Sequence, residues 1–161
     1  MIRPARPEDA AGIAAIWNPI IRDTAITFTT AEKTLPALEA MIRERQAAGQ
    51  GFLVAEMEGV AGFATYGAFR NGPGYARSAE HTVLLAPRAR GQGVGRALMD
   101  QLLAHAARSG IHAMMAGVSA ENPEGAAFHE RLGFALIARI PQVGHKFGRY
   151  MDLLLYQKIL S

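Results

Sequence analysis

The sequence predicts a mixed α/β domain, and three observations support this fold class. Apolar residues recur at helical spacing in four stretches of the chain, and apolar runs of strand length separate most of them. Their order is two helices, antiparallel strands, and then strand–helix–strand–helix–strand–strand, which lacks the regular alternation of a Rossmann fold. With 161 residues, at roughly 100–200 residues per domain, we expect one domain over 1–161.

The first half of the chain contains two of the predicted helices and a β-hairpin. The first helix starts at the acidic residues 7–9, and we expect Pro19 to end or kink it because proline has no N–H to donate. A polar loop over 23–33 follows and carries an apolar pair within 26–28. The remaining predicted elements are a helix from near Pro36 to the glycines at 49–51, and strands over 52–55 and 60–69 around a turn at 58–59.

The second half contains the most strongly amphipathic helix of the chain. Val94, Leu98, Leu102 and Ala106 lie on one stripe of this helix, and Gly110 ends it. The other predicted elements are a strand near 79–85, a buried strand of small residues over 111–118, a short helix capped at 122–123, and two final strands over 134–140 and 150–159.

Composition excludes several classes of protein. Half of the residues are hydrophobic, yet no apolar run reaches the roughly 18–20 residues that span a bilayer. The N-terminus has no signal-peptide pattern, so we expect a cytoplasmic protein without a membrane partner. Because the chain has no cysteine, it has no disulfide, thiol nucleophile or thiolate metal ligand. His105 and His112 are seven residues apart, a spacing that does not form a metal site, and no metal is expected.

The basic residues favour a small anionic ligand over a nucleic acid. The formal charge is +3, and only three of the 17 basic residues are lysines. A nucleic-acid-binding protein usually concentrates such residues in a stripe with aromatic residues between them, whereas these arginines are scattered. The exception is the group of Arg88, Arg90 and Arg96, which indicates one phosphorylated small molecule.

A glycine-rich segment, residues 91–95, lies between a predicted strand and the start of the long helix. Glycines allow close approach of the backbone, and consecutive N–H groups at a helix N-terminus form a cradle for an anion. The spacing does not fit the G-x-G-x-x-G fingerprint of dinucleotide-binding folds, and the lysine of a phosphate-binding P-loop is absent. A glycine-rich turn without a ligand is the alternative interpretation, but such a turn would carry the entropy cost of three loop glycines.

Several segments around this loop carry a resemblance to a known family. Glu80-His81-Thr82-Val83 precedes the loop, Asn122 and residues 129–134 (HERLGF) follow it, and residues 142–152 (QVGHKFGRYMD) lie near the end. The loop RGQGVG itself is similar to the Q/R-x-x-G-x-G/A pyrophosphate loop of the GNAT superfamily of N-acetyltransferases. Over nearly its whole length the chain resembles the phosphinothricin and methionine sulfoximine acetyltransferase subfamily, and the V-G-x-K-F-G-R segment is the most specific part of the match.

The resemblance implies a fold and a cofactor. The implied fold is a mixed, mostly antiparallel sheet of about six or seven strands, splayed at its centre and flanked by about four helices. The implied cofactor is acetyl-CoA, lying in the cleft where two parallel strands diverge. The residues implied to hold it are the backbone of Val83, Leu84 and Leu85 for the pantetheine, the backbone N–H groups of Arg90, Gly91, Gln92, Gly93, Val94 and Gly95 for the pyrophosphate, and Asn122, for which a helix N-cap is the alternative role.

The resemblance also implies catalytic and substrate-binding residues. Glu80 would be the general base that takes a proton from the acceptor amine, with a solvated strand-end glutamate as the alternative. His129 would be the general acid, with a neutral packed histidine as the alternative. The residues implied to contact the acceptor are Phe28, Arg70, Asn71, Gly72, Glu80, His81 and Thr82; for the loop around Phe28, anchoring in the core is the alternative. The chain departs from the family pattern at Gly125, where a serine is usual, and at Ala76, where a second arginine is often present.

The expected activity is therefore acetyl-CoA-dependent N-acetylation of the α-amino group of a small amino-acid-like compound of the phosphinothricin or methionine sulfoximine or sulfone type. Direct transfer is expected, because the chain offers no cysteine or activated serine to carry the acetyl group. The alternatives are acetylation of peptide N-termini or other amines, and a non-catalytic acyl-CoA sensor. The subfamily builds its acceptor site near a two-fold interface, so a homodimer is expected, with Phe147 and Tyr150 beside Lys146 and Arg149 at the contact.

Overall fold

A mixed sheet forms the centre of the structure, a computed structural model that describes residues 1–160. Within these residues the strands are β1 (Ile2–Pro4), β2 (Phe52–Glu56), β3 (Val60–Ala68), β4 (Ser78–Leu85), β5 (Ala113–Ser119), β6 (Ala135–Lys146) and β7 (Arg149–Ile159). The helices are α1 (Ala10–Asp23), α2 (Leu35–Ala47), α3 (Val94–Arg108) and α4 (Pro123–Arg131), with single 3-10 turns at Pro7–Asp9, Pro73–Tyr75 and Pro87–Ala89.

The seven strands are arranged in the order β1-β2-β3-β4-β5-β7-β6. Every neighbouring pair is antiparallel except β4 and β5, which run parallel. A parallel pair needs a crossover connection, and α3 supplies it between these two strands. The predicted mixed, mostly antiparallel sheet with four helices is confirmed.

The parallel pair opens after three residues. Ser78, Ala79 and Glu80 of β4 pair with residues of β5, and the pairing stops there. Beyond this point β4 stays with β3 as far as Leu85, while β5 stays with β7 as far as Ser119. The sheet is therefore split between β4 and β5, and the facing strand edges at the split lack a neighbouring strand. This divergence is the predicted splay.

Two hydrophobic clusters hold the helices on opposite faces of the sheet. On one face the predicted stripe of α3, with Leu98 and Leu102 fully buried, packs against alternate residues of the central strands. On the other face Ile13 and Ile21 of α1 join Leu38 and Ile42 of α2 over Phe63 and its neighbours. The two-residue period of each strand sends successive side chains to different clusters.

Three predicted boundaries are wrong. Helix α1 continues to Asp23 rather than ending at Pro19, because Ile20 and Ile21 bury its last turn and offset the one missing hydrogen bond. The first element predicted from the sequence is the helix at 7–9, yet β1 precedes it as a short edge strand on β2, too short to show a period. Strand β6 runs beyond Ile140 to Lys146, through an irregularity in its pairing with β7.

The buried carboxylate of Asp9 joins three segments of the chain. It accepts hydrogen bonds from Arg3 Nη1 and Nη2 at 2.8 and 2.9 Å, and from the backbone N–H of Arg6 at 2.7 Å. Arg3 also donates to Glu56 at 2.8 Å, so the network links β1, the start of α1 and β2. The hydrogen bonds from Arg3 lower the pKa of Asp9 below its ordinary value despite the opposing effect of burial.

Replacement of this carboxylate is expected to destabilise the fold. Asp9→Asn removes the buried carboxylate that pairs with Arg3 and leaves Glu56 as its remaining charge partner, and breaking a buried pair costs about 3 kcal/mol. Urea unfolding should show this loss, whereas the control Asp23→Asn, which removes an exposed pair with Arg22, should change stability by less than about 0.5 kcal/mol. Because the pKa of Asp9 is lowered on folding, its contribution is complete at neutral pH and is lost as the pH falls through the folded-state pKa. The difference between wild type and Asp9→Asn should therefore shrink on acidification, and a difference independent of pH would contradict this account.

Candidate active site

The opening between β4 and β5 forms a cleft of about 230 Å³, here called the central cleft. It lies at the point where the two strands diverge, so side chains from both faces of the sheet reach it. Its lining residues come from the loop after α1, from β4, from β5 with the turn that follows it, from α4 and from β7: Ile26, Thr27, Phe28, Glu80, His81, Thr82, Val83, Leu84, Ala116, Gly117, Val118, Ser119, Asn122, His129 and Leu153. The predicted residues Phe28, Glu80, His81, Thr82 and His129 are thus brought together.

Glu80 is the last residue of β4 that pairs with β5, and its side chain crosses the opening toward β5. A Cβ at Gly117 would lie 3.2 Å from Glu80 Oε2, so the glycine leaves the space that this carboxylate occupies. Desolvation by the walls of the cleft raises the pKa of Glu80. A carboxylate with a raised pKa is a stronger proton acceptor at neutral pH, as a general base requires.

His129 and His81 form a hydrogen-bonded pair of buried imidazoles. His129 Nδ1 lies 2.7 Å from the carbonyl oxygen of Gly125, which can only accept, so Nδ1 carries the proton. The two Nε2 atoms are 3.1 Å apart, and in the neutral state the His81 N–H donates to His129. Burial lowers the pKa of both rings, that of His81 to about 3, so the pair is neutral at physiological pH.

Asn122 caps α4 and also lines the central cleft. Its Oδ1 accepts a hydrogen bond from the backbone N–H of Gly125 at 3.1 Å, as the N-cap alternative predicted. The same contact explains the departure at Gly125, because a Cβ there would lie 2.3 Å from Asn122 Nδ2 and would displace the carboxamide.

The glycine loop, residues 90–95, contributes Gly91, Gly93, Val94 and Gly95 to the lining of a second cavity of about 260 Å³ at the N-terminus of α3. Gly91 and Gly93 have φ angles of +73° and +77°, a left-handed backbone that side chains rarely adopt. Leu85 at the end of β4 lines this cavity, and the four residues before it line the central cleft. The free edge of β4 therefore connects the anion cradle with Glu80.

The arginines near the loop divide into two groups. Arg88 donates to the carbonyl oxygens of Met57 and Val60 and does not line the loop cavity, so its contact with a phosphate stays a prediction. Arg96 lines the loop cavity, and so does Arg131 from the end of α4. Arg131 was missed by the sequence analysis, although its position three residues after Phe128, another lining residue, places both on one helix face.

The loop after β3 does not meet the central cleft. Arg70, Asn71 and Gly72 line a separate cavity beside Tyr66 and Tyr75. Within one protomer these predicted acceptor-binding residues are therefore apart from Glu80. Their role stays a prediction.

The free strand edge, the anion cradle at one end of it and the carboxylate at the other define a group-transfer enzyme. Beyond Glu80 the edge of β4 has no neighbouring strand on its β5 side, and its far end at Leu85 meets the loop cavity. The model of the acetyltransferase (GNAT) family matches residues 17–134, and the chain belongs to this family. It is an acetyltransferase, and the predicted cofactor acetyl-CoA suits the diphosphate cradle and the unpaired edge of β4.

Relatives of known name cover nearly the whole chain. An L-amino acid N-acyltransferase of Escherichia coli (strain K12) is 38% identical over 97% of this chain and 91% of its own. An L-methionine sulfoximine/L-methionine sulfone acetyltransferase of Salmonella typhimurium is 37% identical over 97% and 92% of the two chains. A phosphinothricin N-acetyltransferase of Streptomyces coelicolor is 34% identical over 99% and 95%.

A solved structure agrees with the fold over the whole chain. An acetyltransferase of Salmonella typhimurium, solved with its cofactor acetyl-CoA, superposes with a TM-score of 0.96 at 36% identity over 100% of this chain and 94% of its own. Residues 1–160 contain neither a helix long and apolar enough to cross a membrane nor a cluster of side chains suited to a metal ion.

Binding of acetyl-CoA is expected to depend on the backbone of the glycine loop more than on its side chains. Gly93→Val forces a β-branched residue into a left-handed backbone at the cavity and should raise the Kd at least about tenfold, roughly 1.4 kcal/mol. Gly95→Val should also weaken binding, although its Cβ meets the Phe128 ring at 3.2 Å and disturbs packing as well. Gln92→Ala is the matched control, because the Gln92 side chain donates to the carbonyl oxygen of Arg88. Calorimetric titration with normal affinity in both glycine variants would contradict the assignment.

Proposed function

We propose that this protein transfers the acetyl group of acetyl-CoA to the α-amino group of a small amino-acid-like acceptor of the phosphinothricin or methionine sulfoximine or sulfone type. The single observation that carries the proposal is Glu80, a carboxylate of raised pKa at the apex of the split sheet. The names of the relatives support the acceptor class, since they include amino acids and amino-acid analogues. We place the reaction in the cytoplasm, with no nucleic acid or membrane as partner.

In the proposed reaction Glu80 acts as the general base. Acetyl-CoA supplies the acetyl group as a thioester. An acceptor ammonium loses a proton to Glu80, directly or through water, and the free amine attacks the thioester carbonyl. The nitrogen releases its second proton to solvent as the new N–C bond replaces the C–S bond, and the departing thiolate takes up a proton from solvent, which gives the amide and free CoA. The acceptor lies between Glu80 and the loop at 26–28, which line the same cleft.

The hydrogen bonds of His129 favour the packed role over the general-acid role. Its one proton is held by the Gly125 carbonyl, and its Nε2 accepts from His81. In this state no N–H of His129 is free for the thiolate. We propose that the pair shapes the cleft as a neutral unit and that solvent protonates the leaving group.

Loss of the Glu80 carboxylate is expected to reduce kcat while leaving acetyl-CoA affinity nearly unchanged. Glu80→Gln keeps the size of the side chain but removes the proton acceptor, and the loss should be about 10²–10⁴-fold at pH 7. Glu44→Gln on the exposed surface of α2 is the control. Thiol release measured with phosphinothricin, methionine sulfoximine, methionine sulfone, a dipeptide and an aminoglycoside tests the acceptor class in the same assay.

The pH dependence provides a further check on Glu80. An amine with pKa near 9 is about 1% free at neutral pH, so the wild-type rate should rise with pH. The raised pKa of Glu80 shifts the acidic limb of the rate profile to higher pH, because only the ionised carboxylate accepts a proton. The deficit of Glu80→Gln should shrink at alkaline pH, where solvent has already removed the proton from the amine. Wild-type kcat in Glu80→Gln at pH 7 would exclude Glu80 as the base, and acetyl-CoA binding without turnover on any amine would favour a sensor.

We further propose a homodimer formed through the β6–β7 hairpin. Val143, Phe147 and Tyr150 expose 55%, 54% and 67% of their surfaces on this hairpin. Arg149 is exposed beside them and pairs with Glu121. Lys146, predicted as part of the contact, is instead 2% exposed and turned into the protein. A second copy would cover these apolar side chains.

Light scattering on the wild type should give twice the chain mass of 17.3 kDa. Tyr150→Glu should convert the protein to a monomer, because a charge in the centre of an apolar contact loses its hydration. Glu44→Gln again serves as the control. A wild-type mass of about 17 kDa at high micromolar concentration, with full activity, would exclude the interface.

A further inference from the structure

Lys146 occupies an unusual environment for a lysine. Its ammonium donates to the carbonyl oxygens of Thr24 at 2.6 Å and Thr27 at 2.8 Å, about 120 residues away in sequence. It also lies 5.2 Å from the centre of the Phe147 ring. No carboxylate within residues 1–160 forms an ion pair with it. The two carbonyls and the aromatic face therefore replace the water that an exposed ammonium would bind.

The carbonyls that Lys146 binds belong to the segment following α1. Thr24 is the C-cap of α1, where the helix dipole leaves partial negative charge, so a cation is favoured there. Thr27 lies in the loop that lines the central cleft. One ammonium therefore ties the end of α1 and this loop to β6.

Gly144 provides the second contact between β6 and the loop. A Cβ at this position would lie 2.5 Å from Phe28 Cδ2 and 2.6 Å from Phe28 Cγ. Contacts this short do not occur in folded proteins, so the ring rests directly on the backbone that the glycine leaves bare. Gly144 and Lys146 are two residues apart in the strand and thus share one face.

A bulge in β6 brings this face to the loop. Between Ile140 and Gly144 the strand advances four residues while β7 advances from Leu153 to Met151. The carboxylate of Asp152 holds the extra residues, accepting hydrogen bonds from Gln142 N at 2.9 Å and Arg139 Nε at 2.7 Å. A bulge changes the direction in which the following residues of its strand face, and here those residues include Gly144 and Lys146.

We propose that Lys146 and Gly144 are positioning residues that fix the acceptor-facing wall of the central cleft and thereby determine which acceptors fit. Lys146 sets the path of the loop through its carbonyls, and Gly144 sets how far the Phe28 ring stands out into the cleft. Neither residue lines the cleft itself. The inference rests on the proposed function, because it takes the cleft at Ile26, Thr27 and Phe28 as the acceptor site.

Lys146→Met keeps the aliphatic stem but removes the donor to both carbonyls. The loop should loosen, and kcat/KM for the acceptor should fall on the order of 10–10²-fold, the effect of misplacing a bound group by about 1 Å. The KM for acetyl-CoA should stay within about threefold, since the glycine loop has no contact with Lys146. Lys158→Met is the matched control, because Lys158 donates to the Leu132 carbonyl at the end of α4 in the same manner, away from the 24–28 loop.

Gly144→Ala tests the second contact through a double-mutant cycle. The added methyl should push the Phe28 ring into the cleft and reduce activity most with the bulkiest acceptors. In a Phe28→Ala background the clash is absent, so Gly144→Ala should then change acceptor kcat/KM by less than about twofold. Equal effects in both backgrounds would overturn the role of Gly144 in placing Phe28.

Amide hydrogen exchange on the wild type and lysine variants gives a readout that does not need turnover. Exchange over residues 24–28 should accelerate in Lys146→Met and stay unchanged in Lys158→Met, with acetyl-CoA affinity retained in both. If exchange accelerates but wild type acetylates no amine, the proposed function fails while the positioning holds. If the wild type is active and Lys146→Met changes neither loop exchange nor the acceptor KM, or changes the acceptor and acetyl-CoA KM values alike, the positioning role is wrong. Should Lys146→Met fail to fold, the Gly144 and Phe28 cycle decides the question.

Discussion

The divergence of β4 from β5 after three paired residues is the constraint on which the rest of the structure depends. In a closed sheet the backbone groups at this edge would be used by the neighbouring strand. Because the pairing stops at Glu80, the edge of β4 is free and the sheet contains a cleft through its centre. The same divergence allows adjacent residues of β4, whose side chains point to opposite faces, to line one cavity. Glu80 and His81 illustrate this: one carboxylate reaches toward Gly117 while the next side chain packs against His129.

The loop cavity, proposed for the donor, and the proposed acceptor wall of the central cleft are built from different parts of the chain. The donor side comes from a continuous stretch, in which β4 leads through the glycine loop into α3, with α4 closing the cavity. The acceptor side joins the loop at 24–28 to the far end of β6, more than a hundred residues later. Few residues belong to both sides. If the proposed acceptor wall is correct, changes in it would alter the choice of amine without disturbing the glycine loop, because the two cavities share no lining residue.

The sequence predicted the elements whose signals are local. The stripe of Leu98 and Leu102, the glycine loop and the cap at Asn122 each depend on spacing within a few residues, and the structure contains them. The resemblance supplied the splay, which no periodicity reveals. What could not be predicted depends on distant contacts. Arg88 donates to carbonyl oxygens across a hairpin, and Lys146, which follows a bulge held by Asp152, turns inward to the loop after α1. The sequence around a charged residue does not indicate which face of its strand will be buried.

The position of Arg70 also depends on the tertiary fold and not on a local sequence signal. The loop after β3 lies at the paired end of β4, while the central cleft opens beyond Glu80, so the two cavities are on opposite sides of the last paired residues. For Arg70 to serve the proposed acceptor site, a second copy of the chain or movement of the whole loop would have to bring it to the central cleft. In the proposed dimer, the exposed apolar residues lie on the same β6–β7 hairpin as Lys146, which binds the carbonyl oxygens of the loop at 24–27. The proposed association and the proposed acceptor wall would thus depend on one hairpin, β6–β7.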